Sequence, residues 1–198
     1  MISPALPRTC SCKSLLGEIG LPGNREDWFY SVMAIEHDYF GLLASGPDGS
    51  IFWSEHVDLG DQTVTVDLTA PDQDDVSMQG LDIAAALIAG LEAVDDTARG
   101  AMLGEVDDRT SEVTEFILRK QEEFGDDLDD YLIDVSGDAA VDIIRSLRLL
   151  SMTILADEHG GADPFAVLEY SLDTGDDDDV LLVNLGTDAR VLSVISAD

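Results

Sequence analysis

Three side chains near the start of the chain have the chemistry to share a reaction: His37, Glu55 and His56. An imidazole titrates near neutrality, and an adjacent carboxylate orients it. Asp38 or Glu55 beside either ring would therefore make an acid/base pair, and the two rings together would make a metal pair. His37 and His56 both fall in segments that read as extended and could meet across a strand unit. Each also lies beside a turn, where an exposed histidine without a role is the simpler reading. Trp53 and Tyr170 could line a pocket, although aromatics in a small sheet are more often core. His159 lies in Asp157-Glu158-His159-Gly160-Gly161, a loop by composition.

Other chemistry is thinly represented. Asp176-Asp177-Asp178-Asp179 could collect a hard cation loosely, but neighbours in an extended chain alternate in direction. A solvated loop that keeps a sheet edge from pairing is the expected role. Asp126, Asp127, Asp129 and Asp130 read the same way. Cys10 and Cys12 are two thiols with no further Cys or His nearby, which is a poor metal site. Ser171, beside Glu169 and Tyr170, has no evident base. No G-x-G-x-x-G follows a strand, and neither a phosphate-binding G-x-x-x-x-G-K-[ST], a G-x-S-x-G elbow, an H-E-x-x-H nor paired C-x-x-C is present. No cofactor and no bound metal are expected.

The elements that would position these residues follow from period and punctuation. Residues 38–70 read as strands, with turns at Ser45-Gly46-Pro47-Asp48-Gly49-Ser50 and at Gly60-Asp61. Val64, Val66 and Leu68 share one face, and Thr63, Thr65 and Asp67 the other, so this strand is half exposed. From residue 77 the apolar spacing changes to 3–4. Ser77 caps a helix carrying Leu81, Ala84, Ala85, Ile88 and Leu91. Asp95-Asp96 is expected to begin a short helix. Val113, Phe116, Ile117 and Phe124 stripe another after Thr110 and Ser111, with Glu115 and Lys120 outward and Gly125 as its stop. A short helix is read at Leu128, Tyr131 and Leu132, and Ser136 is read as the cap of a last one. Strands return at Leu150–Ile154 and Phe165–Leu172, at Val180–Leu185 (read as buried on both sides) and at Arg190–Ile195. Strands, then helices, then strands argue for an α+β fold: a largely antiparallel sheet from N- and C-terminal strand blocks, with a helical layer from the middle of the chain.

The chain holds 198 residues with 10 bases against 42 acids, a formal charge of −32, and 45% hydrophobic residues. Residues 1–32 have balanced charge, both cysteines and no sustained period. They are expected to be a poorly ordered or artefactual extension, leaving 33–198 as a single domain. The charge excludes nucleic-acid binding through a basic surface and disfavours anionic lipid. No apolar run nears the ~20 residues of a spanning helix. With no cysteine after position 12, a reducing cytoplasm is the expected setting.

Several pieces together resemble a family of small uncharacterised bacterial proteins known as a domain of unknown function. They are His37-Asp38-Tyr39-Phe40-Gly41, Phe52-Trp53-Ser54-Glu55, Val64-Thr65-Val66-Asp67-Leu68 and Ala98-Arg99. Glu115-Phe116-Ile117, Glu169-Tyr170-Ser171-Leu172 and Leu181-Leu182-Val183 complete them. The resemblance spans about residues 35–196 and implies the α+β fold. That family ends in an acidic-Ser pair, where this chain has Ser196-Ala197-Asp198. No catalytic residue carries over from it.

The acidity has three readings. It is a background suited to a salty cytoplasm, or a face for a basic protein such as a toxin or nuclease, or an imitation of DNA phosphates that occupies a DNA-binding protein. The expected role is that of a non-enzymatic binding or regulatory protein. The competing class is a small hydrolase or metal-dependent enzyme using His37, His56 and Glu55.

Overall fold

The computed structural model describes residues 34–133, 135–156, 164–172 and 179–197. The expectations for residues 1–32, His159 and Asp176 to Asp178 fall outside the described residues.

The fold is α+β. A hairpin of β1 (Ala34–His37) and β2 (Gly41–Ala44) forms a two-stranded sheet of its own. The main sheet has six strands in sequence order: β3 (Ile51–Leu59), β4 (Gln62–Ala70), β5 (Arg148–Leu155), β6 (Ala166–Ser171), β7 (Val180–Leu185) and β8 (Val191–Ala197). All neighbours are antiparallel except β4 and β5, which run parallel with Thr65 beside Ser151. A parallel pair needs a long crossover. Here it is the whole helical layer: α1 (Met78–Ala89), α2 (Leu91–Glu105), α3 (Glu112–Phe124) and α4 (Ala139–Ser146), with 3₁₀ turns at Gln73–Asp75 and Gly125–Tyr131.

Local chemistry sets most boundaries. β3 and β4 pair Leu59 with Gln62, so the loop is Gly60-Asp61, and Gly60 takes the positive φ of 62° that such a two-residue hairpin needs at its first position. The Ser77 and Ser111 side chains accept from the Gly80 and Thr114 amides and cap α1 and α3. Gly125, at φ 51°, ends α3. One face of the sheet is covered. Val64, Val66 and Leu68 of β4, Met152 and Ile154 of β5, and Leu168 and Tyr170 of β6 are buried with Leu81, Ala98, Phe116 and Ile144 of the helices. The opposite face is open among the described residues.

Four expectations need correction. Asp95 and Asp96 do not begin a helix: α2 starts at Leu91, directly after Gly90, and holds both acids inside it. The cap of α4 is Asp138, whose side chain accepts from the Val141 amide. Ser136 instead donates its backbone N–H to Asp142. Val180–Leu185 is not buried on both sides, because only one sheet face is covered and Leu182 and Asn184 lie half-exposed on the other. Lys120 does not point outward: it is fully buried between two phenylalanine rings and beside Asp179.

Candidate functional site

His37 ends β1 and is buried. Its Nδ1 accepts from the backbone N–H groups of Tyr39 and Phe40, at 3.2 and 3.4 Å. Two donors at Nδ1 leave the ring proton on Nε2, which donates to Asp82 Oδ1 of α1 at 3.2 Å. The ring therefore braces a turn and ties the small hairpin to the helical layer. The expectation of an exposed histidine fails here because this turn presents two amides that need an acceptor.

His56 lies on the open face, where its Nδ1 sits 3.3 Å from the Thr65 hydroxyl. Glu55 is paired opposite Val66 and so belongs to the covered side. Successive strand residues point to opposite faces. Glu55 therefore does not orient His56, and His37 and His56 lie on different sides of the sheet. Among the described residues no three His, Cys, Asp or Glu side chains gather as a metal site. Trp53 packs edge-on to Phe40 at 4.8 Å between ring centroids and lies 6.1 Å from Tyr39. It clamps the hairpin against β3. Burial, with the Glu55 charge second, holds the Tyr39 phenol above its ordinary range.

Tyr170 is fully buried in β6, and its hydroxyl donates to Asp95 Oδ1 at 2.8 Å. Burial and, second, the Asp95 charge push its phenol far above the usual value, so it stays protonated as the donor to Asp95. Asp95 Oδ2 also accepts from Arg99 Nε at 2.9 Å, one helical turn on. The rest of the Arg99 fork reaches α4: Nη1 donates to the Ile144 carbonyl at 3.0 Å and Nη2 to the Leu147 carbonyl at 2.8 Å. These are carbonyls that a helix end leaves without partners. The Arg99 guanidinium lies 5.3 Å from the Tyr170 ring centroid. One carboxylate and one guanidinium thus join α2, α4 and β6.

Asp95 also faces a cavity of about 600 Å³ at the end of the β3–β4 hairpin. The hairpin supplies Val57, Asp58, Leu59, Gly60 and Gln62. The α1–α2 elbow supplies Ile88, Ala89, Leu91, Glu92, Asp95 and Asp96. Its wall is aliphatic and its rim holds four carboxylates with no base among the lining residues. Asp95 is engaged by Tyr170 and Arg99. Such a groove suits an alkyl stem ending in a cation. It contains no histidine, cysteine or serine to start a reaction. The Asp95–Arg99 spacing is plain in the sequence, but the approach of the hairpin end to the helix elbow is not.

A second charged cluster ties α3 to Asp179, the residue before β7. Lys120 of α3 lies between the rings of Phe116 and Phe124, 5.5 and 5.6 Å from their centroids. Its ammonium is 3.1 Å from Glu123 and 3.4 Å from Asp179, and Arg119 pairs with Asp179 at 2.7 Å. Asp179, the last of the aspartate run, is thus an anchor with a side chain only 15% exposed. A buried ammonium needs such partners, and the aromatic pair supplies more.

No family profile matches this chain, and neither the curated proteins nor the solved structures yield a match. No helix among the described residues is long and apolar enough to cross a membrane.

Proposed function

We propose that this is a non-enzymatic binding protein whose anionic helical side receives a basic protein, with a Lys or Arg side chain of that partner entering the groove between the β3–β4 turn and the α1–α2 elbow. The carrying observation is the groove itself: an aliphatic wall, four carboxylates and no base. The wider charge layout agrees. Between Met78 and Ser146 the chain has eighteen acids and five bases. Three of those bases, Arg99, Arg119 and Lys120, are engaged in ion pairs. A field of one sign speeds the approach of a basic partner. A cytoplasmic setting belongs to the same reading. The hydrolase reading loses its motivation, because Glu55 and the two histidines do not converge.

The test uses lysine- and arginine-rich peptides in titration calorimetry with the full chain. The triple variant Asp58→Asn, Glu92→Gln, Asp96→Asn removes three of 32 net charges. Diffuse attraction should then weaken only slightly. Groove recognition should weaken at least about tenfold, which corresponds to ~1.4 kcal/mol. A triple variant that binds within about twofold of the parent refutes the groove reading.

A further inference from the structure

The two edges of the six-stranded sheet are built differently. At one edge β3 carries Glu55, His56 and Asp58, with β2 of the small hairpin beside it. At the other edge β8 reads Val-Leu-Ser-Val-Ile-Ser-Ala, with no charge, proline or glycine, in a chain where 26% of residues are charged. Among the described residues β8 pairs with β7 alone. An outer strand offers a row of free backbone donors and acceptors, and proteins ordinarily guard it with charge, proline or a bulge. Here a register shift lies near the start of the strand, and residues 193–197 continue as regular ladder. Ile195 stands 41% exposed there.

We propose that β8 is a self-association edge: β8 of a second copy adds antiparallel to it, so that two six-stranded sheets become one of twelve. The charge distribution selects this occupant. Two copies at −32 each repel wherever their acids approach, and a strand of seven uncharged residues is where such copies meet at least cost. A strand from a basic partner would be read by carboxylates on the edge strand. β8 carries none, and the charged side chain set against it is a cation, Arg119, which donates to the Ser196 hydroxyl and pairs with Asp179. A two-fold axis perpendicular to the sheet at Val194 keeps both helical layers on one side. It sets Val194 against its mate and brings the two Ile195 side chains into diagonal contact. Seven residues span ~24 Å, and a paired edge of that size buries less than the ~800 Å² per partner of a standard interface. The dimer is accordingly weak and concentration-dependent.

Sedimentation velocity of the full chain over a concentration series tests this at ~0.01 M and ~1 M salt, where the Debye length falls from ~30 Å to ~3 Å. The dimer fraction should rise with salt, whereas basic-peptide binding at the groove should fall, so the two readings can fail separately. Ile195→Asp should weaken the dimer at least about tenfold. Phe52→Asp, which puts the same charge on the exposed face of the other edge strand, should leave it within about twofold. A monomer under all conditions, a dimer indifferent to Ile195→Asp, or equal losses from both substitutions overturns the proposal. Should Ile195→Asp not fold, amide exchange in the unsubstituted chain decides. Protection of residues 193–197 must increase with protein concentration, and constant protection refutes self-pairing.

Discussion

Replacing Arg99 with Lys retains the charge and removes the fork. In the structure Arg99 makes bonds of 2.9 Å to Asp95, 3.0 Å to the Ile144 carbonyl and 2.8 Å to the Leu147 carbonyl. A single ammonium on a shorter-reaching stem can satisfy one of these directions, leaving two lost. A hydrogen bond to a charged group contributes ~1.5–3 kcal/mol when well shielded. The Arg99 and Asp95 side chains are 18% and 14% exposed, so solvent recovers part of that. The expected loss is about 2–4 kcal/mol. For a chain of this length ~2–4 °C accompanies each kcal/mol, so the melting temperature should drop by roughly 5–15 °C. Urea unfolding at neutral pH measures the free energy directly. Tyr170→Phe alone should cost about 1–2 kcal/mol, and the double variant should fall short of the sum by at least ~0.5 kcal/mol because both side chains act on Asp95. A loss under ~1 kcal/mol in Arg99→Lys, or strict additivity with Tyr170→Phe, would refute the claim that this carboxylate joins three elements.

Other outcomes follow from the remaining clusters. Lys120→Met leaves Asp179 with Arg119 but strips the half-exposed Glu123 of its cation, and should cost about 1–3 kcal/mol in urea unfolding, with no loss contradicting a stabilising role for the buried ammonium. Trp53→Ala should cost about 2–3 kcal/mol and speed amide exchange across residues 34–44 more than in β6, since the indole clamps the hairpin. The Asp142 carboxyl is held below its ordinary range first by the Ser136 side-chain hydrogen bond. A folded pKa below the unfolded value means that its stabilisation is full above the unfolded pKa near ~3.9 and is lost as pH falls through the folded value. The melting-temperature gap between the parent and Asp142→Asn should therefore be widest near pH ~6 and close in strong acid; a gap that widens on acidification would reverse the sign.

What the sequence discloses depends on how local the determinant is. Gly60-Asp61 between β-branched runs, Ser77 before an apolar stripe and Gly125 after one each act through neighbours a few residues away, and the structure has all three in the expected roles. The α+β class follows from the order of such segments. The burial of Lys120 is not legible in α3 alone, because it depends on Asp179, far along the chain, and on two flanking rings. The groove is equally hidden, because the β3–β4 turn and the α1–α2 elbow meet only after the sheet is covered. The grouping of Glu55 with His56 is a different case. The two-residue period of a strand sets such neighbours on opposite faces, and that rule, applied to residues 51–59, is enough to separate them.

The parallel seam between β4 and β5 bears on how the chain reaches this state. Every other strand pairing joins strands close together in the sequence, so two ribbons can form early, one ending at β4 and one starting at β5. Bringing Thr65 beside Ser151 requires the intervening helices to be gathered first, and that closure entropy must be met before the seam gives any return. The seam should form after the rate-limiting barrier. Weakening substitutions at Thr65 or Ser151 should then accelerate unfolding while refolding rates barely change, and denaturant-dependent kinetics in which refolding slows instead would place the seam in the nucleus.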